Sequence, residues 1–247
     1  MFDLSGRSAL VTGGGRGVGL GIARVLIDAG ATVFVNDLVA ERAEAAAQAL
    51  GAGARALPFD VTDFEDVERA VGETTGIDIL VNNAGIPPAM RPVQFRTMPR
   101  DEWAPYVDVN LYGVLNCVKA TLEPMCERGW GRIITISSGS GMHGDNIGVS
   151  IYAAGKGAGI AFMRHLALEC ASAGVTANTI ALGMMEREAQ TGGEEARTVT
   201  KTMASRIPVG RLGAPDDVGY ACAYLASNEA SWLTGQTIPL NGGSKTS

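Results

Sequence analysis

Histidine is scarce in this chain, at two in 247 residues, and its four cysteines form no Cys-x-x-Cys pair. Metal centres draw on clustered histidine, cysteine and carboxylate ligands, so a bound metal is not expected. Cys117, Cys126, Cys170 and Cys222 stand far apart among apolar or helix-forming neighbours. That placement predicts reduced, buried thiols in a cytoplasmic protein rather than disulfides. No apolar run reaches the ~18 residues of a membrane-crossing helix. The opening MFDLSGRSALVTGG lacks a charged stretch ahead of a long apolar core, so a secretory leader is not expected either. Lys and Arg are dispersed and the formal charge is −6. Without a basic face to displace counterions, nucleic acid is not an expected partner.

Glycine, by contrast, is abundant, with 33 residues and no collagen-like period, which points to tight turns and close backbone approaches. Apolar residues make up 46% of the chain, enough for a sizeable core. Apolar runs of strand length recur at 8–12, 31–37, 55–61, 77–85, 131–138, 175–180 and 236–240, most of them followed by a helical pattern. Thr62 and Glu65 have capping-box spacing, and one long helical region is expected over about 100–128. Continuous rather than alternating apolar strands signal burial on both faces. The expected architecture is therefore α/β: a Rossmann-type, doubly wound parallel sheet of about seven strands with helices on both faces. No composition break divides the chain, so residues 1–247 read as one domain. The charged, glycine-broken segment at about 184–206 reads as a substrate lid.

Ligands of such sheets bind at the carboxyl ends of the strands. There, VTGGGRGVGLG follows the first strand and opens the first helix as T-G-x-x-x-G-x-G. Gly13, Gly15, Arg16, Gly17, Val18 and Gly19 are candidates to cradle a pyrophosphate at the helix N-terminus. Asp37 closes the second strand, 18 residues beyond Gly19, and Leu38 adds no positive charge beside it. A carboxylate there accepts hydrogen bonds from the adenosine ribose and repels a 2′-phosphate, which favours NAD over NADP. Arg16 pulls the other way, toward NADP. The expected cofactor is NAD, with NADP second.

Taken with NNAG (82–85), YAAGK (152–156) and the tail GRLGAPDDV…ASWLTGQTIPLNGG, the chain resembles the short-chain dehydrogenase/reductases. It is similar to the single-domain branch that includes the 3-oxoacyl carrier-protein reductases. The resemblance implies that Asp60 and Val61 hold the adenine, and that Asn83, Ala84 and Gly85 support the sheet beside the cofactor. It implies a proton relay through Asn110 and a catalytic set of Ser138, Tyr152 and Lys156. Gly183 would flank the nicotinamide, although Leu182 stands where the family usually has proline. The helix after Tyr152 carries small residues; the family uses it for subunit contact, so a homotetramer or homodimer is expected, though packing against the chain's own sheet would also explain them.

The residues suit the chemistry. Oxidising a secondary alcohol needs a base of hydroxyl size near working pH. Tyrosine ordinarily ionises near ~10. An ammonium at ~5 Å favours the phenolate by about 3 kcal/mol at an effective dielectric of about 20. The i,i+4 spacing puts Tyr152 and Lys156 on one helix face, and Lys156 can also hold the nicotinamide ribose. Ser138 lies 14 positions before Tyr152 and Ser140 lies 12 before it, and the family's habitual separation falls between them. Ser138 is preferred because it ends its strand, with Ser140 as a second substrate contact. Met184, with Met90, Met142 and Met185, suggests an adaptable apolar wall. The expected activity interconverts a secondary alcohol and a ketone, with an acyl thioester or a cyclic alcohol among the open substrates. A non-catalytic dinucleotide-binding regulator on the same fold is the alternative.

Overall fold

The computed structural model describes residues 2–87, 90–186 and 200–246. Seven strands alternate with helices: β1 (Ser8–Val11), α1 (Gly17–Asp28), β2 (Thr32–Val35), α2 (Ala40–Leu50), β3 (Ala54–Ala56), α3 (Phe64–Gly72) and β4 (Ile79–Asn82). There follow α4 (Ala104–Val107), α5 (Gly113–Glu127), β5 (Gly131–Ser138), α6 (Ser150–Cys170), β6 (Val175–Leu182), α7 (Pro215–Ala226) and β7 (Thr237–Leu240). The strands form one parallel sheet in the order β3-β2-β1-β4-β5-β6-β7. The order reverses between β1 and β4, which opens a ligand crevice at their carboxyl ends.

The pleat sends alternate residues of each strand into two cores. Ala9 and Val11 of β1 join Ile22 and Leu26 of α1 and Val218 of α7 on one face. Leu10 joins Val67 of α3, Val118 of α5 and Met163 of α6 on the other. Each such aliphatic side chain contributes about 1.5–3 kcal/mol through burial. The helices α1 and α7 touch through backbone: a Cβ on Gly21 would meet Pro215 Cβ at 2.4 Å.

Two local expectations are corrected. Thr62 does not cap α3; Asp63 does, accepting from the amides of Glu65 and Asp66, while Thr62 bonds Asp60. The third strand is shorter than 55–61: it spans Ala54–Ala56, and beyond it the carbonyls of Leu57 and Phe59 accept from the Asn36 side chain. The helical region expected over 100–128 is present and composite: a 3-10 turn at Arg100–Glu102 and α4 lead into a π-helical turn, Asp108–Tyr112, before α5. Of the expected lid, residues 187–199 lie outside the described residues. Among the described residues no helix is long and apolar enough to cross a membrane.

Candidate active site

The nucleotide end is built by backbone and three polar side chains. The hydroxyl of Thr12, just past β1, accepts from the amides of Asn83 and Ala84 at 3.0 and 3.1 Å. It thereby ties the Asn82–Gly85 turn to the glycine loop. The Asn83 amide nitrogen donates back to the carbonyls of Thr12 and Gly13. Asn36 Oδ1 accepts from the Gly13 amide, and its Nδ2 donates to the carbonyls of Leu57 and Phe59. Thr12 opens the T-G-x-x-x-G-x-G motif but its tie to the Asn83 and Ala84 amides was not expected, and Asn36 was passed over, since a single buried polar residue carries no periodic signal.

Gly13 takes φ +60°, and a Cβ on Gly19 would stand 2.2 Å from the Gly13 carbonyl oxygen. Only glycine permits that approach, so α1 begins hard against the turn. The first turn of α1 has no side-chain cap and no acidic residue, so its amides remain open to an anion. Val18 is half-buried there, and Arg16 is exposed. Asp37 is 6% exposed at the end of β2, its Oδ1 accepting from the Val39 amide at 3.1 Å and pairing with Arg42 Nη2 at 2.8 Å. Arg42 was not among the expected residues. Leu38 is exposed beside it. Asp60 Oδ1 accepts from the Thr62 amide and hydroxyl, and the buried Val61 offers its carbonyl to Asn116.

The residues expected to be catalytic gather on and around α6. Tyr152 lies in its first turn and Lys156 one turn on, with Nζ 5.9 Å from the Tyr152 ring centroid. Lys156 is buried, its Nζ donates to the Ile136 carbonyl at 2.8 Å, and burial pushes its amine down to about 8. Ser137 donates to the Lys156 carbonyl at 3.1 Å and so fixes α6 to β5. Its neighbour Ser138 points to the opposite face, where Oγ accepts from the Ser140 amide at 3.2 Å. That bond leaves the Ser138 hydroxyl proton available to donate elsewhere. Asn110 sits in the π-helical turn, its Nδ2 donating to the Tyr106 carbonyl at 2.8 Å. Its buried Oδ1 finds no partner among the described residues. A Cβ on Gly85 would meet Lys156 Nζ at 2.3 Å and Asn110 Oδ1 at 2.8 Å, so those polar atoms converge on the bare Gly85 backbone.

Around these groups, the 86–100 loop is pinned to 145–148 by the Val93 amide, which donates to the Gly148 carbonyl at 2.7 Å. Gly183 packs on Asn241, where a Cβ would meet its Cα at 2.8 Å. Leu182 pairs with Ser138 and Leu240, so β6 runs unbroken to the point where proline would end it. The four methionines do not form one wall: Met184 is exposed, whereas Met185 packs against the core beneath Gly213. His143 is half-buried, with its amide on the Gly139 carbonyl.

The residues fit a dinucleotide. Glycine backbone and open α1 amides suit a pyrophosphate, Asp37 suits a ribose, and Asn110 Oδ1, unpartnered among the described residues, lies with Lys156 Nζ against Gly85. Fold and site together define a Rossmann-type dinucleotide-binding oxidoreductase. Residues 13–245 match the family model described as "Enoyl-(Acyl carrier protein) reductase". The chain is 39% identical to the 3-oxoacyl-(acyl-carrier-protein) reductase FabG of Vibrio harveyi, covering 98% of each. It is 40% identical to Nodulation protein G of a Rhizobium species, again over 98% of each. A gluconate 5-dehydrogenase from Burkholderia cenocepacia, solved with NADP and tartrate, superposes with a TM-score of 0.88 at 35% identity, covering 98% and 96% of the two chains. The chain belongs to the short-chain dehydrogenase/reductase family. It is a pyridine-nucleotide-dependent oxidoreductase that interconverts a small-molecule alcohol and ketone.

Proposed function

We propose that this protein works as a 3-oxoacyl thioester reductase or the reverse 3-hydroxyacyl dehydrogenase, with Tyr152 as the proton-transfer residue and NAD as the preferred nucleotide. The observation that carries the reading is the convergence of Lys156 Nζ and Asn110 Oδ1 on Gly85, one helical turn from Tyr152. When bound, the nicotinamide supplies or takes the hydride. The Tyr152 hydroxyl gives its proton to the substrate oxygen in reduction and removes it in oxidation. Ser138, its own oxygen engaged by the Ser140 amide, donates to that same substrate oxygen and stabilises its developing charge. The buried Lys156 ammonium favours the phenolate and reaches the ribose of the nicotinamide side. Asn110 Oδ1 is placed to accept from a water that passes protons to Lys156 and on to solvent.

The glycine loop from Gly13 to Gly19 holds the pyrophosphate, Asp37 the adenosine ribose, and Asp60 and Val61 the adenine edge. The acyl reading draws on the relatives' activity and on apolar side chains at the site's edge: Ile86, Phe95, Ile147 and Met184 are all exposed. Residues 1–247 act as one domain. Four unpaired thiols suit a reducing, cytoplasmic setting. Leu168 on α6 and Trp232, 80% and 99% exposed, suit burial against further copies in a homotetramer or homodimer. Gly155 of the same helix instead packs on Asn110 of its own chain.

The test follows nicotinamide absorbance over a panel of 3-oxoacyl thioesters, cyclic ketones and sugar acids, with wild type and Tyr152→Phe. Turnover of thioesters that vanishes in Tyr152→Phe, with nucleotide binding retained by calorimetry, is the expected result. Turnover that survives the substitution overturns the mechanism. Binding without turnover on any substrate leaves the non-catalytic regulator.

A further inference from the structure

The Asp37 carboxylate is the group that would turn away a 2′-phosphate, yet it does not stand as a free negative charge. Arg42, in the first turn of α2, folds back so that Nη2 lies 2.8 Å from Asp37 Oδ1. Both residues pack on the nucleotide loop itself. A Cβ on Gly15 would meet Asp37 Oδ2 at 2.6 Å and Arg42 Cβ at 3.2 Å. The guanidinium is also incompletely used: Arg42 Nε is buried and has no hydrogen-bond partner among the described residues. Arg16, exposed at the rim of the same loop, brings a second cation to this end of the site.

Resting on the pyridine-nucleotide reading above, we infer that Arg42 is a specificity-determining residue: by pairing with Asp37 it makes the site tolerant of an adenosine 2′-phosphate. Discrimination against an anion depends on unpaired like charge at the point of contact. A carboxylate neutralised by a guanidinium at hydrogen-bond distance repels far less than a bare one. For NAD, the pair keeps Asp37 Oδ2 available to a ribose hydroxyl. For NADP, the Arg42 guanidinium, on a side chain 35% exposed, and the Arg16 cation offer donors to the phosphate oxygens. Asp37 alone therefore reads as a strict NAD signature, whereas Asp37 with Arg42 reads as an NAD preference of limited size. Nothing in the Asp37 motif itself reveals the neutralising partner, because Arg42 reaches it from the next helix.

Calorimetric titration with NAD, NADP, AMP and adenosine 2′,5′-bisphosphate tests this without turnover. In wild type, the 2′-phosphate is expected to weaken binding less than about tenfold in each pair. Arg42→Gln should widen that gap by about tenfold or more while leaving NAD affinity within about threefold, and the added gap should shrink as salt rises. Arg42→Lys, which keeps the charge, should restore most of the wild-type ratio. A ratio in Arg42→Gln within twofold of wild type overturns the inference. Should Arg42→Gln fail to fold, Asp37→Asn provides the second measurement, since it leaves both arginines facing the ligand. NADP is then expected to bind at least about tenfold more tightly relative to NAD than in wild type, and no gain overturns the inference. Wild-type protein that binds none of the four ligands would instead sink the nucleotide reading itself.

Discussion

Lys156 Nζ donates to the main-chain carbonyl of Ile136 at 2.8 Å, so the site's cation is held by strand backbone rather than by a carboxylate. A cation in that setting loses solvation without gaining a counter-charge, and its amine falls from 10.5 to about 8. Between those values the folded chain has released a proton that the unfolded chain still holds, so the Lys156 contribution to stability rises with pH across that window. Below it both states are protonated and the full penalty stands. Lys156→Met should therefore stabilise the protein at pH 7 by about 1–3 kcal/mol, less the lost hydrogen bond to Ile136. The gain should shrink toward pH 10.5 in urea titrations of the two proteins. Activity should be lost throughout.

Gly85→Ala places a methyl group where Lys156 Nζ and Asn110 Oδ1 lie. The Lys156 ammonium ends a flexible stem and will move, so a modest change in melting temperature is expected. The reacting geometry will not tolerate the move, and kcat should fall at least about 100-fold. A kcat within about threefold of wild type would mean that the two side chains do not work as a set.

Ser138→Ala removes the donor to the substrate oxygen and should lower kcat by about 100- to 1,000-fold with little change in nucleotide affinity. Ser140 bonds Ser138 through its amide, which alanine retains. Ser140→Ala should cost less than about tenfold. Equal losses in the two variants would show that Ser140 shares the oxyanion role.

The thiols should separate sharply toward a disulfide reagent. Burial pushes the Cys117 thiol up to about 12 and Cys170 up to about 11, and Cys222 is fully buried. Cys126 is only half-buried, though burial and Glu123 raise it as well. The native protein should expose one slowly reacting thiol and the urea-unfolded chain four, counted by thionitrobenzoate release.

Much of this was legible because the strands announce themselves. Runs such as RIITISS pack β-branched residues into a doubly covered sheet, and their ends locate Ser138 without further help. The tyrosine–lysine pair was legible because four residues make one helical turn. The ties made by Thr12, Asn36 and Ser137 were not, since each residue acts through a partner distant in sequence, and a lone buried hydroxyl or amide leaves no pattern. Arg42 escaped for the same reason. The capping of α3 by Asp63 rather than Thr62 turned on one residue, below what spacing can resolve.

The π-helical turn at Asp108–Tyr112 amounts to one residue more than a regular helix would hold between α4 and α5. That makes the placement of Asn110 a matter of chain length as well as side-chain chemistry. Deleting one residue between 108 and 112 would let the segment close into an uninterrupted α-helix with α4 and α5 left in register, turning only the residues kept inside the turn, Asn110 among them, by up to about 100°. A lineage that lost that codon would gain a sounder helix and swing the Asn110 amide away from Lys156, with every proposed member of the relay still present in the sequence.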